Sequence, residues 1–145
     1  MLASAVLAIG VFGTLSYRSR AALDARRADI EMTAGRMGLK LLQDWRAENG
    51  SMTYDPVSRI AAPGITVIQT GSTGLTMPSG YDTILGQYKI TVDGITYRVM
   101  LSSQVAVAGS TPRALSVQIG WRMDRSDENL TDTDKVIRLA TFLDN

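Results

Sequence analysis

The first 17 positions carry no charge, and from Arg18 onward apolar residues recur at helical period among charged ones. MLASAVLAIGVFGTLSY is apolar on every side of a helix. RSRAALDARRADIEMTAGRMGLKLLQDWRAENG follows it with no turn residue between the two. Within the second stretch Ile30, Ala34, Met37, Leu41 and Trp45 follow spacings of 4, 3, 4 and 4, which places them on one stripe. Leu23 stands one heptad before Ile30 and extends the stripe. Arg26, Arg27, Asp29, Glu31, Arg36, Lys40, Asp44, Arg46 and Glu48 fall mostly on other faces. Burying Ile30, Met37, Leu41 and Trp45 contributes at most about 8–10 kcal/mol. Asn49-Gly50 is a helix stop. The pattern predicts one long helix ending near Gly50, apolar in its first third and one-sided afterwards.

Past Gly50 the period changes to 2. Ile65-Thr-Val-Ile-Gln69 reads as a strand, and residues 70–86, with Gly71, Gly74, Pro78, Gly80 and Gly86, read as a loop. Tyr88–Val92, Asp93-Gly94 and Ile95–Leu101 form a hairpin signal, because Asp-Gly supplies the positive φ values of a tight turn. Leu115–Met123 alternates apolar and polar residues, and Val136–Phe142 does so less strictly. Antiparallel strands after one N-terminal helix predict an α+β domain with the helix on one sheet face. The expected division is 1–24 as the apolar half of the helix and 25–145 as a soluble α+β domain.

Composition narrows the chemistry. The net charge of +1 gives no global field to gather nucleic acid, and no basic stripe accompanies Tyr81, Tyr88 and Tyr97, so no nucleic-acid partner is expected. The chain has no Cys and no His. It therefore lacks thiol nucleophiles, zinc thiolates, the commonest general base and the commonest transition-metal ligand. No Ser or Tyr has a His partner. The expectation is a protein that is not an enzyme and carries no catalytic residue and no cofactor.

The apolar head reads in three ways. As a secretory signal it lacks a basic start and a break after the apolar run. As a complete membrane span it is short, since 17 helical residues reach about 25 Å against a hydrocarbon core of ~30 Å. As the remainder of a longer apolar segment it fits, and that reading is preferred. Arg18, Arg20, Arg26 and Arg27 follow the run, which alone would hold the C-terminal side in the cytoplasm unless a basic leader stood in front. Ala3, Ala5, Ala8, Gly10 and Gly13 are small, and small residues let apolar helices approach closely. Ala3, Ala8, Gly10 and Gly13 are the candidate helix-packing and assembly residues.

One acidic segment stands out, Asp124-Arg-Ser-Asp-Glu-Asn-Leu-Thr-Asp-Thr-Asp134. Asp124, Asp127, Asp132 and Asp134 are weak calcium candidates, since calcium takes six to eight oxygens. The spacing is not that of an EF-hand, Arg125 repels a cation, and a solvated hairpin loop is the preferred reading. Asn129-Leu130-Thr131 is a formal glycosylation sequon, a pattern with many chance matches.

Leu2-Ala-Ser-Ala-Val-Leu-Ala-Ile-Gly-Val-Phe-Gly-Thr-Leu15 resembles the apolar helix of the type IV pilin and type II secretion pseudopilin superfamily, closest to its minor pilins and pseudopilins. Leu7-Ala8-Ile9-Gly10 coincides with the core of that helix, and Leu115–Trp121 with a strand near the end of the family's sheet. The resemblance covers the whole layout. It implies a pilin-like fold, a long N-terminal helix packed on a small antiparallel sheet, and a structural role in a type IV pilus-like filament or secretion pseudopilus. It also implies other pilin-like subunits as partners, and the inner membrane before assembly, crossed once with the C-terminal domain periplasmic. After assembly the filament lies in the periplasm or outside the cell. The family's leader and Glu-containing start are not in this chain. Aligned on Leu7 to Gly10, the Glu would fall just before Met1, so a longer native start with a methylated N-terminus is expected. Some pseudopilins bind calcium in their C-terminal region, which keeps that ion as the sole cofactor candidate. The alternative is a single-pass, membrane-anchored periplasmic binding or sensor domain with a pocket under the Gly71–Gly86 loop.

Overall fold

The computed structural model describes residues 2–60, 62–105, 114–122, 130 and 134–143, and of residues 2–16 the helical backbone alone. A single helix, α1, runs Leu2–Ala47. It stops where the sequence places a stop: Asn49 and Gly50 have φ of 54° and 69°, Gly50 N donates to the Trp45 carbonyl at 3.0 Å, and Asn49 N donates to the Arg46 carbonyl at 2.9 Å. Left-handed residues past a helix end turn the last amides back onto open carbonyls, and glycine adopts that conformation without cost to a side chain.

The chain divides into two compact units, Met1–Thr33 and Ala34–Asn145. The first is helix alone. In the second, α1 continues to Ala47, a short α2 spans Pro56–Ile60, and five strands follow: β1 Ile65–Thr70, β2 Thr83–Val92, β3 Ile95–Gln104, β4 Ala114–Trp121 and β5 Lys135–Phe142. The strands form one five-stranded antiparallel meander in the order β1-β2-β3-β4-β5. The α+β class is thus as the sequence predicts. The β2–β3 turn is Asp93-Gly94, with φ of 51° and 74°, as a two-residue hairpin between right-twisted strands requires.

Two details depart from the sequence reading. β2 begins at Thr83 and absorbs the end of the expected loop through an irregularity between Ile84 and Gly86, where the Tyr88 side chain lies over the glycine. Helix α2 was not expected. Its cause is local: Asp55 caps it, accepting from Val57 N at 3.0 Å, and Pro56 opens it where a missing N–H costs nothing.

The register assigns side chains to two faces. Ile90, Tyr97, Val99, Leu101, Leu115, Val117, Ile119 and Trp121 share one face and are at most 1% exposed. Helix α1 lies close on this face at Gly38, where a Cβ would come within 2.6 Å of Leu139 Cδ1 and 3.1 Å of Ile119 Cδ1. Ala34, Leu41 and Trp45 of the stripe are fully buried, Ile30 is buried and Met37 is half-buried. Leu23, read from sequence as part of that stripe, is 55% exposed. Its spacing is right, but every residue from Tyr17 to Asp29 is exposed, and burial of the stripe begins only at Ile30.

The other face of β3 and β4 is also covered. Arg98, Met100, Ser102, Ala114 and Ser116 are buried there. Residues 71–82 supply much of the cover, which explains why β4 is buried along nearly its whole length.

Candidate functional site

Helix α1 carries the first candidate surface. Ala3, Ala8, Gly10 and Gly13 all fall on its regular backbone, and their side chains lie outside the described residues. From Tyr17 to Asp29 every residue is exposed, including Tyr17 at 76%. Arg27 and Asp24 sit 3.7 Å apart on this surface, an exposed pair that contributes little. Among the described residues no helix is long and apolar enough to cross a membrane. Fully exposed helix of this kind gains nothing from tertiary packing, which normally supplies most helical stability.

The second candidate is the polar face of the sheet. Thr73 anchors the overlying segment: its amide and hydroxyl both donate to Gln87 Oε1 at 2.7 Å, and its carbonyl accepts from Leu130 N at 3.3 Å. Farther along, the Arg138 guanidinium lies 4.8 Å from the centre of the Tyr81 ring, a cation–π contact. Asp82 closes the segment: its amide donates to the Ser103 carbonyl, and its two carboxylate oxygens accept from Val105 N at 3.2 Å. The segment therefore runs from β2 across to β5 and returns to the end of β3.

Beneath it lies a cavity of about 250 Å³ lined by Gly74, Leu75, Thr76, Gln118, Leu130, Asp134 and Val136. Two glycines shape it. Gly74 has φ +78° and meets the Leu130 backbone closely, and a Cβ at Gly120 would collide with the Leu130 side chain. The walls are apolar, from Leu75, Leu130 and Val136, with a hydroxyl, an amide and a carboxylate between them. Asp134 Oδ1 stands 3.8 Å from Arg122 Nε, with both side chains mostly buried. Gln118 Oε1 is buried and has no hydrogen-bond partner among the described residues. The space is smaller than the usual range of small-molecule sites, ~300–1,000 Å³.

Of the acidic candidates, Asp134 is placed at this cavity, and Asp124, Asp127 and Asp132 lie outside the described residues. Among the described residues no three His, Cys, Asp or Glu side chains stand together as a metal site. Two phenols are shifted. Burial, helped by the Asp44 and Glu48 carboxylates, raises Tyr54 far above the ordinary tyrosine value, and burial followed by Asp55 raises Tyr88. Both are held neutral within the fold.

Several structural anchors escape a search by periodicity. Leu42 is buried beside the stripe, and Gly38 lies close against Leu139 and Ile119 of the sheet. Tyr54 stacks on Trp45, with ring centres 6.1 Å apart and planes inclined by 16°. The proximity of Asp55-Pro56 to a helix stop was the available signal for this compact corner. In comparisons with known proteins, no family model, no curated protein and no solved structure matches the chain.

Proposed function

We propose that this chain is a structural, non-enzymatic subunit of a type IV pilus-like filament or secretion pseudopilus, assembling through its N-terminal helix. The observation that carries the reading is the contrast along α1. Residues 17–29 are exposed all round, whereas the helix from Ala34 onward buries one side in a folded sheet domain. The uncharged run from Met1 to Tyr17 precedes the exposed stretch. An apolar helix that leads from a self-sufficient head suits a part that waits in a bilayer and then exchanges lipid contacts for helix contacts. Inner-membrane residence before assembly, other pilin-like subunits as partners and a pilin-like fold belong to the same proposal. So does the absence of a nucleic-acid partner.

The test is incorporation. The full chain carrying Gly10→Leu is expressed beside the unaltered chain, filaments are sheared and purified, and each version is quantified by mass spectrometry. The expected result is that the unaltered chain enters filaments and the variant enters at least tenfold less. The thermal melt followed by tryptophan fluorescence should be the same in both. An unaltered chain never found in filaments, or a variant that enters equally well, overturns the proposal.

The cavity beneath residues 71–82 favours a second reading, a membrane-anchored binding domain. In that reading the head binds a small polar molecule and the helix serves only to tether it.

A further inference from the structure

We propose that β5 is a strand-pairing edge and that its partner is β5 of a second copy, joined antiparallel about a two-fold axis through Leu139. The inference does not rest on the filament reading. A two-fold strand pair closes on itself, whereas a filament needs an open head-to-tail contact, so the two use different surfaces.

β5 is the last strand of the sheet and pairs with β4 through eight consecutive positions without a register shift. Its other side is therefore a row of backbone donors and acceptors unpaired among the described residues. Natural edges are usually blunted by proline, a bulge, a short strand or charges. Lys135-Val-Ile-Arg-Leu-Ala-Thr-Phe142 has neither proline nor bulge, and of the blunting devices it carries only the charges of Lys135, at its first position, and Arg138. At the opposite edge, β1 packs against α2 and carries the Ala62–Ile65 bridge. β5 also exposes two large apolar residues, Phe142 at 73% and Val136 at 46%.

Charge selects both the partner and the register. In a two-fold antiparallel pair the axis passes through a residue position, because outward-pointing backbone groups must meet their own kind. Centred on Arg138, the pair would set two guanidinium groups directly opposite, an unfavourable arrangement. Centred on Leu139, Arg138 faces Ala140 of the second copy, Lys135 faces Leu143, and the exposed Phe142 lies against the exposed Val136. Within Lys135–Phe142 no like charges meet, and both exposed apolar residues are covered. Moving the centre one residue farther either way separates Phe142 from Val136. An edge of this length makes a small interface, so the association is weak and depends on concentration.

The test uses the full chain in density-matched detergent micelles, followed by sedimentation equilibrium. Ala140 is exposed and faces Arg138 twice in each dimer. Ala140→Glu therefore tightens Kd by about 2- to 30-fold, and Ala140→Lys weakens it by a similar factor. Unchanged tryptophan fluorescence melts certify both variants as folded. Opposite shifts of this kind establish the pairing and its register. A chain that remains monomeric up to about 1 mM, even with Ala140→Glu, overturns the proposal. So do equal shifts in both variants, or a dimer indifferent to either charge, as one held by the apolar helix would be.

Discussion

Trp45 is the residue on which the corner between α1 and α2 turns, and its removal gives the sharpest test of the packing. The side chain is fully buried, its ring stacks on Tyr54, and its Nε1 donates to the Ser51 carbonyl at 2.8 Å. Trp45→Ala removes about 150–250 Å² of buried apolar surface, leaves a cavity and strands a carbonyl acceptor. Large aromatic deletions of this kind cost ~3–5 kcal/mol. Trp45→Phe keeps most of the ring and the stacking but loses the donor, and should cost roughly 1–2 kcal/mol. Urea unfolding of the full chain in micelles, read by tryptophan fluorescence, which in both variants comes from Trp121 alone, separates the two. With a slope of about 2 kcal/mol per molar urea, the alanine variant should unfold ~2 M earlier and the phenylalanine variant less than 1 M earlier. A midpoint for Trp45→Ala within about 0.5 M of the unaltered chain would refute the claim that this corner is core. Equal losses in both variants would show that the hydrogen bond, not the ring, carries the contribution.

Two further outcomes follow from the same geometry. Gly38→Val should destabilise the second unit by about 2–3 kcal/mol, because its Cβ meets Leu139 and Ile119. Gly35→Ala, with open space around the new Cβ, should stabilise it by ~0.5–1 kcal/mol; urea midpoints that move in one direction for both would contradict the placement of the sheet against Gly38. Stability should be fully retained below tyrosine's ordinary pKa of 10.0 and fall as pH rises past it, because the unfolded chain releases phenol protons that Tyr54 and Tyr88 keep in the fold. Tyr54→Phe should flatten that alkaline slope while changing stability near pH 7 by less than about 1 kcal/mol, since the Tyr54 hydroxyl has no hydrogen-bond partner among the described residues. An undiminished slope in the variant, measured by urea midpoints across the alkaline range, would locate the titration elsewhere.

Much of the fold was legible because local signals and burial agree in it. Asn49-Gly50 ends α1 and Asp93-Gly94 turns β2 into β3, each by a backbone conformation that few other pairs adopt so readily. Period-2 runs placed four of the five strands to within three residues at either end, and β2 begins five residues before the run that announced it. What stayed hidden depends on contacts distant in sequence. Nothing near Gly38 announces that Leu139, about a hundred residues later, will lie against it. The 71–82 segment reads as an ordinary polar loop because Gly, Ser, Thr and Pro dominate it. Its role as a cover rests on Thr73 reaching Gln87 and on Leu130 arriving from beyond β4. Periodicity also misled once, at Leu23, where the helical phase of the stripe continues after the surface that buries it has ended.

The two candidate surfaces differ in what they ask of the rest of the molecule. The sheet has α1 on one face and the 71–82 segment on much of the other, so the head meets its own need for burial. The exposed stretch of α1 does not. Among the described elements every strand already lies in the single sheet, and α2 packs against β1, so none is left to cover residues 17–29. On the proposed reading that cover comes from outside the chain, and lipid and neighbouring helices have different signatures as covers. Lipid requires an uncharged surface, which Arg18, Arg20, Arg26 and Arg27 deny to this stretch. A bundle of similar helices accepts those arginines, because neighbours can set Asp24, Asp29 and Glu31 against them and leave the long stems packed on Ala21, Ala25 and Ala28. In the filament we propose, the boundary at Tyr17–Arg18 would divide the part of the helix that meets lipid from the part that meets only other helices, because the uncharged run ends there.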